Sequence, residues 1–116
     1  STGDDESDSR YLAEKTANLR VFLDESGKMN LSAVELSKKI LVVSQFTLCA
    51  DARKGRRPSY AHAADPEVAI PLYEHFIATL RNMDLTVAEG VFGGMMDVTY
   101  TNFGPVTILL DSKKQF

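Results

Sequence analysis

The sequence predicts a mixed α/β domain. Three observations carry this. Helix-period apolar residues run from about Ser7 to Leu19 and again after Asp65. The apolar run Ile40-Leu41-Val42-Val43 is followed by Phe46 and Leu48, and β-prone residues gather after Thr86. Helical and strand patterns interleaved along one chain are the mark of helices packed on sheets. At 116 residues the chain suits one domain, 1–116.

Taken in order, Ser7 or Ser9 is placed to cap the first helix, with Glu6 and Asp8 at its positive end. Leu12, Thr16 and Leu19 fall on one face. Arg20 to Asp24 reads as a short strand and Asp24-Glu25-Ser26-Gly27 as a turn. Leu31 to Ser37 stays open between a helical turn and a loop. Ile40 to Leu48 is the clearest strand, and its unbroken apolar start predicts cover on both faces. Asp65-Pro66-Glu67 signals a second helix, within which Pro71 predicts a kink or the true start. Val91 to Thr101 and Val106 to Asp111 read as strands separated by Asn102-Phe103-Gly104-Pro105.

Composition narrows the function classes. With 44% hydrophobic and 25% charged residues the chain is an ordinary folded composition. The net charge of −3 means that any contact with nucleic acid must rest on a local patch. Arg53, Lys54, Arg56 and Arg57 form the densest such cluster. The single Cys49 makes no internal disulfide and builds no zinc site alone. No apolar run approaches a membrane span, and no basic-then-apolar leader opens the chain. The expectation is a cytoplasmic protein without metal or cofactor. The acidic start, which opens on Ser1 rather than Met, reads as a solvated loop behind a leading segment removed or left out.

Catalytic residue types are scarce. His62 and His75 are the only histidines, no G-x-S-x-G elbow is present, and no Gly-rich loop is built to cradle phosphate. Two segments stand out instead: Ser44-Gln45-Phe46-Thr47-Leu48 and Asn102-Phe103-Gly104-Pro105-Val106-Thr107. Read alone, the first is strand packing and the second a tight turn.

Together, in this order, they resemble the SQFTL and NxGPVT signatures of the D-aminoacyl-tRNA deacylases, the D-tyrosyl-tRNA deacylases among them. Asn18 to Phe22, Gly27 to Asn30, Arg53-Lys54-Gly55, Arg57-Pro58-Ser59 and Phe92 to Met96 are similar to the family as well. The resemblance implies a three-layer β/α/β deacylase-like fold with mixed sheets. It also implies leading strands, upstream of residue 1, that belong to the sheet and frame the site.

The activity implied is hydrolysis of the ester of D-aminoacyl-tRNA, which is chiral proofreading, with glycine on tRNA as a weak spot of the filter. Backbone amides around Phe46 and Thr47 would hold the oxyanion. Gln45 would orient the substrate, and Phe46 would pack near the terminal adenosine. Ser44, Val106 and Thr107 would line the pocket, with Phe92 and Met95 bordering the adenine. The 2′-hydroxyl of the terminal ribose would assist water. Arg53, Lys54, Arg56 and Arg57 would meet tRNA phosphates. Sequence alone favours a trans Gly104-Pro105 bond, whereas the resemblance implies a cis one, inserted into the partner's site of a homodimer. There it would reject L-amino acids by collision.

Two rival readings stay open. One is a non-catalytic RNA-binding or editing-like module of the same fold. The other is a conventional hydrolase using Thr47 or Ser44 with a histidine as base.

Overall fold

Helix α1 (Glu6–Asn18) begins where an acidic side chain, not a serine, satisfies its free amides. In the computed structural model, which describes residues 1–115, Asp5 Oδ1 accepts from Ser7 N at 2.7 Å. Asp8 Oδ2 accepts in return from Asp5 N at 2.9 Å. This reciprocal box replaces the expected serine cap. Ser9 is otherwise engaged, donating its hydroxyl to the Leu72 carbonyl at 2.9 Å.

That bond leads to helix α2 (Pro66–Asn82), against which α1 packs. Asp65 holds the N-cap position without a side-chain bond, and Pro66 opens the helix. The start therefore lies at Pro66, and Pro71 sits inside the helix. Ala13 and Ala17 on α1 and Leu80 on α2 are fully buried and meet Ala33 and Leu85. Small side chains on α1 let the helices approach closely, so one leucine fills the space between them.

Strands β1 (Phe22–Leu23) and β2 (Met29–Leu31) form an antiparallel hairpin. Its turn is the expected one: Asp24 Oδ1 accepts from Ser26 N at 2.8 Å and Lys28 N at 3.0 Å. Gly27 takes φ +74°, a conformation open to glycine. The open stretch after Leu31 resolves as turns, with Ser32 and Glu35 exchanging hydrogen bonds.

Strands β3 (Lys39–Val42) and β4 (Thr86–Glu89) run parallel, with Ile40 opposite Val87 and Val42 opposite Glu89. Ile40, Val42 and Val87 reach the helix core. β3 is shorter than expected and covered on one face only, since Leu41 is 59% exposed. It ends where its one neighbour ends. Phe46–Cys49 turns into a 3-10 helix instead of continuing the strand.

The larger departure is at the C-terminal end. Neither Val91 to Thr101 nor Val106 to Asp111 is a strand among the described residues. A strand exists only where a neighbour completes its ladder, and none lies beside these segments. Residues 93–105 are exposed throughout. The radius of gyration of 15.5 Å exceeds the roughly 13–14 Å of a compact domain this size, as an outlying arm requires. The arm is fastened at its far end, where Lys113 Nζ donates to both oxygens of Asp8 at 2.8 Å. The class is mixed α/β, as the sequence predicts, with both parallel and antiparallel pairing.

Candidate active site and its completion

Parallel pairing puts the C-terminal ends of β3 and β4 on the same edge. Open α/β sheets bind ligands outside those ends. Two of the segments singled out in the sequence leave from this edge: Ser44 to Leu48 after β3, and Phe92 to Met96 after β4. Gly90 N donates to the Val42 carbonyl at 2.9 Å, holding the two exits together. Tyr73 Oη donates to the same carbonyl at 3.1 Å, and the Tyr73 ring meets Phe92 edge-on at 5.7 Å. Burial pushes the Tyr73 phenol up, with the Glu89 charge adding to it.

Ser44 is half-buried, while Gln45, Phe46 and Thr47 are exposed. Gln45 is the N-cap of the 3-10 helix and makes no side-chain cap bond. The first amides of such a helix have no acceptor within it. The motif thus presents main-chain donors and a free side-chain amide to solvent, which suits a developing oxyanion. Phe92 is half-buried against Tyr73. Met95 is fully exposed, and Met96 turns back to accept from Val91 N at 3.3 Å.

The third segment stands apart. Gly104–Pro105 is a cis peptide and Gly104 has φ +128°. A Cβ on Gly104 would lie 3.0 Å from Val106 Cγ2 and 3.3 Å from Val106 N. Asn102 braces the turn from both sides: its Oδ1 accepts from Val106 N at 3.0 Å and its Nδ2 donates to Thr107 Oγ1 at 3.0 Å. Gly104, Pro105 and Thr107 are exposed and Val106 is half-buried. No hydrogen bond joins this turn to residues 44–48 among the described residues. A cleft of about 590 Å³ follows α1 past Tyr11, Lys15 and Arg20. Another of about 180 Å³ lies among Asp5, Asp8, Tyr73 and Phe76. Neither holds a signature residue, because the edge beyond β3 and β4 is open to solvent rather than walled.

The basic loop is not uniformly free. Arg53 donates from Nε to Asp51 Oδ1 at 2.8 Å and from Nη2 to Oδ2 at 2.7 Å. These bonds hold the Asp51 carboxyl well below the usual carboxylate range. Lys54, Arg56 and Arg57 are exposed and carry no ion pair among the described residues. The sequence assigned no role to the side chains of Asp51 and Asn102, which hold Arg53 and the Gly-Pro turn. An Asn four residues before an amide it can accept from, across Gly-Pro, is a signal that was available.

Neither histidine bonds Thr47 or Ser44. His75 Nδ1 lies 3.1 Å from Ser9 Oγ, linking the two helices. His62 is exposed, and its carbonyl accepts from Thr2 N at 2.9 Å. No cluster of three or more metal-ligating side chains occurs among the described residues, and no described helix is long and apolar enough to cross a membrane.

A family profile described as D-Tyr-tRNA(Tyr) deacylase matches residues 1–111, and the chain belongs to that family. It is similar to the D-aminoacyl-tRNA deacylase of Halothermothrix orenii, at 57% identity over 98% of this chain and 76% of the relative. It is also similar to a Bacillus subtilis protein named Inactive D-aminoacyl-tRNA deacylase, at 54% identity over 95% of this chain and 83% of that one. Among solved structures it superposes on the c-Myc DNA Unwinding Element Binding Protein with a TM-score of 0.82. That match has 39% identity and covers 91% of this chain and 72% of the other.

Proposed function

We propose that this chain hydrolyses the ester of D-aminoacyl-tRNA, releasing free D-amino acid and tRNA, and that glycine on tRNA is a secondary substrate. The observation that carries this reading is the shared edge. Ser44 to Leu48 and the Phe92 segment leave the parallel strands side by side, joined through Gly90 and Val42. Main-chain amides near Phe46 and Thr47 bind the ester oxygen, Gln45 orients the substrate, and Phe46 packs near the adenosine. Phe92 and Met95 border the base. The histidines take no part, and water is assisted by the ribose 2′-hydroxyl.

The second half of the site comes from a homodimer. The Gly104–Pro105 turn of one protomer enters the partner's edge, where Val106 and Thr107 complete the lining. Its exposure and its bracing by Asn102 support that role. A stiff main-chain wedge admits the D side chain and collides with the L one. Lys54, Arg56 and Arg57 meet acceptor-stem phosphates, Arg53 being partly spent on Asp51. A tRNA substrate is consistent with a place in the cytoplasm.

A non-catalytic reading is favoured by one observation, the inactive Bacillus subtilis relative at 54% identity. Matched D- and L-aminoacyl-tRNAs separate the two. The expected result is fast release from the D form alone. Equal rates for the two forms, or no release from the D form, would overturn the proposal.

A further inference from the structure

The segment Phe46–Tyr60 leaves the signature motif, forms the basic loop and returns to the motif. Its first residues are the 3-10 helix, closed by Ala50 N donating to the Thr47 carbonyl at 3.1 Å. At the base of the loop Asp51 N donates to Ser59 O at 2.8 Å and Ser59 N to Asp51 O at 2.9 Å. The Asp51 carboxylate also accepts from Arg53 N at 3.0 Å, which fixes the first corner. One residue beyond this closure, the Tyr60 ring meets the Phe46 ring edge-on, with centroids 5.1 Å apart and planes at 65°.

Phe46 is 60% exposed and Tyr60 41% exposed, so core burial does not demand their contact. Loops of this length whose ends meet form compact units, and here Asp51 and Ser59 close the base. The cations Lys54, Arg56 and Arg57 sit on that unit's tip, and the amides of Phe46 and Thr47 sit at its root.

We propose that Tyr60 is a positioning residue: its ring joins the basic loop to Phe46, so that phosphate contact at the loop and ester placement at the motif are set together. The proposal rests on the deacylase reading. Without the ring, tRNA still binds through the loop cations, but the ester is no longer registered against the amides. The hydroxyl of Tyr60 is not needed, only the ring edge.

The test compares kcat and KM on D-aminoacyl-tRNA and on the corresponding D-aminoacyl-adenosine, which has no phosphates. The natural protein, Tyr60→Ala, Tyr60→Phe, and a loop variant with Lys54, Arg56 and Arg57 changed to Ala are measured, with Tyr60→Ala also placed in the loop variant. An edge-to-face pair converts to a loss of about 2- to 12-fold. That loss is expected in kcat on the tRNA for Tyr60→Ala, with KM little changed. Tyr60→Phe restores the rate, the adenosine ester is much less affected, and Tyr60→Ala adds little to the loop variant. Equal losses on both substrates, failure of Tyr60→Phe to restore, or losses that multiply would each overturn the coupling. If the natural protein turns over neither substrate, the deacylase reading itself fails and the coupling falls with it.

Discussion

Replacing Gly104 by Ala probes the proposed wedge where an added Cβ has least room. The residue has φ +128°, where an L side chain costs about 1–3 kcal/mol. The added Cβ meets two atoms of Val106, and these differ in how far they can yield. Cγ2 at 3.0 Å belongs to a side chain that can rotate, whereas N at 3.3 Å is main chain held by the Asn102 carboxamide. Strain therefore falls on the turn itself. Because the turn is exposed and lies outside the buried core, it relaxes rather than unfolding the domain. The cost then appears as lost population of the native wedge, roughly 5- to 150-fold. Single-turnover hydrolysis of matched D- and L-aminoacyl-tRNA, beside a urea titration, reads this out. The D rate is expected to fall within that range and the D-over-L ratio to fall with it, at a nearly unchanged urea midpoint. A well-folded variant with wild-type rate and ratio would refute the argument that this main chain touches the reacting centre.

Other outcomes follow from the helix pair and its fastenings. Leu80→Ala empties a fully buried site, and an equilibrium urea titration should show a loss of about 2–5 kcal/mol. Asp8 is held at about 2, below its ordinary 3.8, chiefly by its hydrogen bonds to Lys113. The stability it contributes is therefore present above about pH 4 and is lost as pH falls toward 2. Lys113→Met should flatten that acid limb in urea midpoints measured from about pH 5 to 2, and an unaltered slope would contradict the pairing. His75→Ala removes a link between α1 and α2. It should lower stability by about 1 kcal/mol with kcat on D-aminoacyl-tRNA unchanged, as should kcat for His62→Ala. A large kcat loss in either would revive a histidine base.

Helix positions were legible because their signals are local. Pro66 after Asp65 marks the start of α2, and Asp24 with Gly27 marks the hairpin turn. The α1 cap was misplaced by reading serines ahead of an aspartate; Ser9 looked like a cap but serves a contact to Leu72 that no local pattern reveals. The end of β3 and the fate of residues 91–111 depend on which neighbour lies alongside, and apolar content does not encode that. At the site, the motifs name candidate residues. Their spatial grouping was not legible there. That Phe92 meets Tyr73, that Asp51 claims Arg53 and that Asn102 spans the turn are each relations between side chains, visible only once the backbone is placed.

The ion pair of Lys113 with Asp8 has a consequence for how residues 91–111 can travel. With Gly90 fastened to Val42 at the other end, that stretch is a hoop rather than a loose tail. A hoop closed at both ends samples fewer shapes than a tail of the same length, so its tip is held in few orientations. Cutting either fastening should widen the spread of tip positions without altering a single atom of it.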